Sequence, residues 1–116
     1  LRRDDQWLAD IVQAAEAIGR FIEGLDLEAF IASDKDQSAV LVKLIVIGEA
    51  AGKLSAELKG RYADIPWRSI TGLRHFGVHE YFRIEWDRLW ITATADVPRL
   101  LIQVRPILEA HRPGDA

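Results

Sequence analysis

Apolar residues at steps of three and four run through nearly the whole of this chain, and that period favours a fold built of helices. Leu8, Ile11, Ala15, Ile18, Ile22 and Leu25 form the first stripe, with Asp4 or Asp5 as its cap and Gly24 as its end. Asp26 then caps a short helix through Phe30, and Ser33-Asp34-Lys35-Asp36 reads as a turn feeding the next helix. Residues 40–47 are rich enough in β-branched side chains to pass for a buried strand. Length decides against it: Val40, Leu44, Ile47, Ala51, Leu54 and Leu58 continue the helical stripe for five turns, with Gly60 as terminator, and predict a long central helix.

Pro66 and Trp67 open a further helix, with Asp64 near its start. Beyond Tyr81 the stripe Trp86, Trp90, Ala93, Val97, Leu100, Val104 and Leu108 runs to residue 110, but Pro98 cuts across it. Proline lacks the amide donor and clashes with the preceding turn, which predicts a kink or break near residues 94–96 with Asp96 capping the helix beyond it. The alternation over residues 90–94 allows a short strand, yet no partner strand exists elsewhere. The expectation is one all-α domain of four or five helices over residues 1–111, followed by a disordered tail over 112–116.

At 116 residues, 49% of them hydrophobic and 28% charged, the chain has the composition of a globular domain with a real core. Its net charge of −3 argues against a nucleic-acid binder, but the charge is uneven. Residues 1–58 carry six Lys/Arg against eleven Asp/Glu, and residues 59–116 carry nine against seven. The absence of cysteine removes disulfides, thiol nucleophiles and Cys-based zinc sites, and suits a reducing compartment. With no basic-then-apolar leader and no apolar run near the roughly 18 residues of a membrane span, the expected location is cytoplasmic, away from membranes. The lack of Met at position 1 points to a processed or trimmed start.

On the central helix Gly48 and Gly52 lie four apart on one face, where small residues let another helix approach closely, either within the chain or from a second subunit. The densest basic and aromatic stretch is residues 67–90, which holds His75 and His79. Their spacing fits a helical metal pair, but a third ligand is missing, so no metal is expected. His75 alone reads most simply as a structural histidine, and His111 as a solvated one. Arg74 and His79 together supply a cation to neutralise phosphate and an imidazole to move protons near neutral pH. On RNA the 2′-OH itself can attack, so neither a metal nor a protein nucleophile is obligatory. Five residues apart on an unbroken helix, the two side chains diverge by about 140°. They converge if the helix bends at Gly77, or if a second subunit brings a second motif.

The segment Arg74-His75-Phe76-Gly77-Val78-His79-Glu80-Tyr81 carries the Arg, four residues, His, one residue, Tyr pattern, and the chain resembles the HepT-like HEPN toxins, RNases of prokaryotic toxin–antitoxin modules. The resemblance extends to Phe21-Ile22, Phe30, Ile47-Gly48-Glu49-Ala50-Ala51, Ile65-Pro66-Trp67, Trp90 and Val97-Pro98-Arg99-Leu100, in the family's order. It implies a HEPN-type helical bundle, a homodimer whose paired motifs line a cleft, and RNA cleavage without metal or other cofactor. It implies Arg74 as phosphate binder and His79 as general acid or base. It also implies Tyr81 as the hydroxyl adenylylated by a partner nucleotidyltransferase antitoxin that uses ATP, which silences the site.

One departure is His75, where the family commonly has Asn; it keeps hydrogen-bonding capacity and adds a second titrating group. Glu49 shares a helical face with Val42, Ile45 and Val46, where a carboxylate is costly unless paired. Two partners are open to it: Lys53 at i+4, or the Arg74/His79 pair, which it would orient. Arg68, Arg83 and Arg88 are candidates for RNA backbone contacts, or a solvated face. The expected function is therefore a metal-independent endoribonuclease of toxin type. The alternative is a non-catalytic helical subunit that binds nucleotide or partner in a nucleotidyltransferase complex.

Overall fold

The computed structural model describes residues 3–76 and 81–111. In chain order these form α1 (Asp4–Ile22), α2 (Leu27–Ile31), α3 (Asp34–Lys53), α4 (Ala56–Arg61) and α5 (Trp67–Thr71). A 3-10 turn (Gly72–Phe76) follows α5, and a second one (Tyr81–Arg83) leads into α6 (Trp86–Ile91). A wide π turn (Thr92–Asp96) then joins α6 to α7 (Val97–His111). No strand occurs among the described residues, so the architecture is all-α as its periodicity requires. None of the described helices is long and apolar enough to cross a membrane.

The core lies where α1, α3 and α7 meet, and its fully enclosed side chains are those of the three stripes: Leu8, Ile11 and Ile18, then Val40, Leu44 and Ile47, then Val104. Each such aliphatic side chain contributes about 1.5–3 kcal/mol on leaving water. Phe30 anchors α2 in the same core, with the Trp90 ring 5.2 Å and the Trp86 ring 6.4 Å away. The chain turns from α1 to α2 at Gly24, whose φ of +78° suits glycine. Gln37, the one buried polar residue among those described, donates its amide to the carbonyls of Phe30 (3.1 Å) and Ile31 (2.8 Å) and so ties the end of α2 to α3.

Several helix ends differ from expectation, each for a local reason. Arg3, not an aspartate, precedes α1, and its backbone N–H donates to Gln6 Oε1 at 2.9 Å. Asp4 and Asp5 fall in the first turn, where carboxylates suit the helix dipole. Asp26 caps α2 as expected, accepting from Ala29 N at 2.8 Å. The segment 33–36 is no separate turn: the Ser33 hydroxyl accepts from Asp36 N at 3.2 Å, so it is already the capped start of α3. The central helix stops at Lys53 instead of running on to Gly60. Leu54 is extended, Ser55 caps α4 by accepting from Leu58 N at 3.1 Å, and Gly60 lies inside α4. Asp4 holds that break by accepting from Ser55 N (2.9 Å) and Ser55 Oγ (2.6 Å), which places the start of α1 beside the end of α3 and makes the two helices antiparallel.

Asp64 does not cap α5; Pro66 occupies that position. At Pro98 the helix neither breaks nor restarts. The π turn widens the register ahead of the proline, and Thr92 and Thr94 donate their hydroxyls back to the carbonyls of Arg88 (3.3 Å) and Trp90 (2.8 Å). Leu89, Ala93 and Val97, at two successive steps of four, consequently all stay on the buried face. Asp96 caps nothing and lies 3.6 Å from Arg99 instead. Pro106 likewise sits inside α7 without ending it. His111, expected to be solvated, is half-buried at the end of α7, with Nδ1 2.8 Å from the carbonyl of Ile107 and its ring 6.2 Å from that of Tyr62.

Candidate active site

The exposed strip along α3 and the segment laid across it hold most of the candidate residues that the structure describes. α5 and the 3-10 turn behind it pack onto α3, and they do so at the two glycines. A Cβ added at Gly48 would press into the backbone N of Arg74 and stand 3.1 Å from the Leu73 carbonyl carbon and 3.2 Å from the Arg74 Cα. A Cβ at Gly52 would stand 2.9 Å from Arg74 Nη1 and 3.4 Å from the Thr71 methyl. The small-residue face is thus filled from within the chain, and the segment that fills it carries Arg74.

Arg74 and its neighbour His75 are both exposed, so His75 is not the enclosed structural histidine its isolation suggested. Among the described residues Arg74 is exposed and has neither a hydrogen-bond nor an ion-pair partner, so none of their carboxylates competes with an anion for its guanidinium. Such a planar donor fork matches two phosphoryl oxygens at once. His79 lies outside the described residues, as does the side chain of Tyr81, whose backbone begins the second 3-10 turn.

Glu49 sits on the outer face of α3 with Val42 and Val46, but that face is open: Val42 is 55% exposed, and Glu49 is exposed too. The burial cost that would have demanded a partner is therefore absent. Among the described residues Glu49 pairs with neither Lys53 nor Arg74. Arg68 projects from α5 and is exposed. Arg83 and Arg88 come together, lining a cleft of about 310 Å³ with Phe76, Ile84 and Thr92, and Arg88 Nε holds Glu85 Oε2 at 2.7 Å. The functional detail that sequence spacing did not supply is the link between the glycines and Arg74; the spacing announced a close approach but not which segment approached.

With this geometry belongs a family. Residues 11–107 match the family model described as ribonuclease HepT-like, and the chain belongs to that family of all-α ribonucleases. It is 34% identical over 99 residues to "Probable ribonuclease HepT" of Thermococcus cleftensis, covering 85% of this chain and 90% of that protein. Over 106 residues it is 30% identical to "Putative RNase TTE0752" of Caldanaerobacter subterraneus subsp. tengcongensis, covering 91% of this chain and 95% of the other. "Putative RNase MJ1380" of Methanocaldococcus jannaschii is 31% identical over 98 residues, 84% of this chain and 90% of its own length. No solved structure gives a significant match.

Proposed function

We propose that this ribonuclease-family chain is a metal-independent endoribonuclease acting as the toxin of a toxin–antitoxin pair, with Arg74 and His79 as its catalytic residues. The observation that carries the reading is the state of Arg74: a motif arginine seated against α3, exposed, and with no carboxylate partner among the described residues. The substrate's 2′-OH attacks the adjacent phosphorus, the bond from phosphorus to the 5′-oxygen breaks, and the products are a 2′,3′-cyclic phosphate and a 5′-hydroxyl. His79 takes the proton from the 2′-OH or returns one to the leaving 5′-oxygen, a role typically worth about 10²–10⁴ in rate. Arg74 neutralises the charge that grows on the phosphoryl oxygens, where losing a donor costs about 3–4 kcal/mol.

A homodimer completes this reading, because a second motif lets Arg74 of one copy face His79 of the other. The exposed aliphatic strip of Val42 and Val46, on the helix that seats Arg74, is suited to such a partner. His75 and Glu49 act as supporting groups, both being exposed near the seated arginine's segment or helix. Arg68, Arg83 and Arg88 contact the RNA backbone, and the cleft shared by Arg83 and Arg88 supports that role. Tyr81 is the hydroxyl that a minimal nucleotidyltransferase antitoxin adenylylates from ATP to silence the site.

The test is cleavage of total RNA in excess EDTA by the wild type and by His79→Ala. The wild type is expected to leave 2′,3′-cyclic phosphate ends and His79→Ala to leave the RNA whole at an unchanged oligomeric state. Equal cleavage by the two removes His79 from the mechanism. Intact RNA with the wild type favours the non-catalytic subunit instead.

A further inference from the structure

Two glycines stand in the last six residues of α3, and glycine is the costliest ordinary residue inside a helix. Close packing accounts for the first. At Gly48 the neighbours of an added Cβ are all backbone, so the 3-10 turn itself rests there. Gly52 is different. The atoms a Cβ would meet are the far end of the Arg74 side chain and, at ordinary contact distance, the Thr71 methyl. The fold has room for an alanine at that position; the guanidinium does not.

The two positions are one helical turn apart, about 6 Å along the axis at 1.5 Å per residue. That rise is comparable to the reach of an extended arginine from its Cα to its guanidinium. Arg74 therefore lies along α3, its backbone on Gly48 and its charged head on Gly52. No carboxylate among the described residues holds that head in place. The bare backbone of the helix lies against it and restricts the side chain, and its donors bond to no other described residue.

We infer that Gly48 and Gly52 are positioning residues for Arg74, and that Gly52 in particular sets where the guanidinium meets the scissile phosphate. The inference rests on the ribonuclease reading of Arg74. A methyl at Gly52 displaces the head without disturbing the turn, so stability and activity should part company. An alanine inside a helix favours folding, whereas a guanidinium pushed off its seat weakens the contact made in the transition state.

The experiment uses the full chain. Gly52→Ala is expected to melt at or above the wild-type temperature while kcat on an RNA oligomer falls at least tenfold, with KM changing by less than threefold. In an Arg74→Ala background the same substitution is expected to change nothing further, since the residue it acts through is gone. Wild-type kcat in Gly52→Ala, or an equal loss in both backgrounds, overturns the inference. The Nε–Hε resonance of Arg74, compared between wild type and Gly52→Ala, reads the seating without any activity. If the wild type cleaves nothing, the ribonuclease reading fails by itself. A shifted resonance then still upholds the seating, and an unmoved one refutes it.

Discussion

Gly48→Ala perturbs the candidate site at its foundation, and its consequences can be worked from the geometry. The new methyl presses into the backbone N of Arg74 and lies about 3 Å from two more backbone atoms, none of which can swing away. The 3-10 turn must lift from α3 by about 1 Å before the contact becomes ordinary. Overpacking of this kind costs about 1–3 kcal/mol, and removing a glycine from a helix interior returns about 0.5–1 kcal/mol, so the net loss is about 0–2.5 kcal/mol. With an unfolding entropy of about 2.1 cal/mol/K per residue over this length, Tm falls by at most about 10 °C. Activity suffers more, because a 1 Å misplacement of a catalytic group costs about 10²-fold, or about 2.7 kcal/mol of barrier. Thermal melts and single-turnover cleavage, the latter well below both melting temperatures, measure the two effects separately. A variant that loses stability yet cleaves within threefold of the wild type would show that Arg74 does not depend on its seat.

Elsewhere in the fold, Gln37→Met keeps the volume of the side chain but removes both amide donors to the end of α2. At about 1 kcal/mol for each net hydrogen bond, the expected loss is about 2 kcal/mol, read as a lower midpoint in urea with an unchanged slope. Asp4→Asn weakens the clamp on Ser55, and the expected result is a loss of about 1 kcal/mol with faster hydrogen exchange at the Ser55 amide.

The sequence was most legible where one element buries one face. α1 and α3 could be read from their stripes, and α2 from the Asp26 cap, because burial and capping are properties of neighbouring residues. Leu54 and Leu58 misled, since both are buried and keep the helical spacing across a point where the helix stops. The cause of that stop is partly Ser55 and partly Asp4, far away in sequence, and no local pattern contains the latter. Pro98 misled in the opposite direction. Its missing donor was visible, but the extra residue of the π turn that accommodates it was not. At the site, Arg74 was legible by type and spacing, and the two glycines by their period. Their meeting depended on how α5 crosses α3, which is a tertiary fact. At Glu49 the apolar neighbours in sequence suggest an enclosed face, whereas the Val42 and Val46 side of α3 is open.

The surface arginines differ in what an arriving phosphate must displace. Arg61, Arg88 and Arg105 already hold Glu57, Glu85 and Glu16, so a nucleic acid reaching them competes with a carboxylate for the same donors. Arg74 holds none among the described residues, so no carboxylate there competes with the phosphate for its donors. Its contribution to binding is then chiefly the entropy of ions returned to bulk, which salt suppresses steeply, by a log–log slope of about 0.7 per phosphate on a single strand. An acidic protein can in this way offer a polyanion a few open cations, Arg74 and the exposed Arg68 among them, while Arg61, Arg88 and Arg105 stay engaged with its own carboxylates.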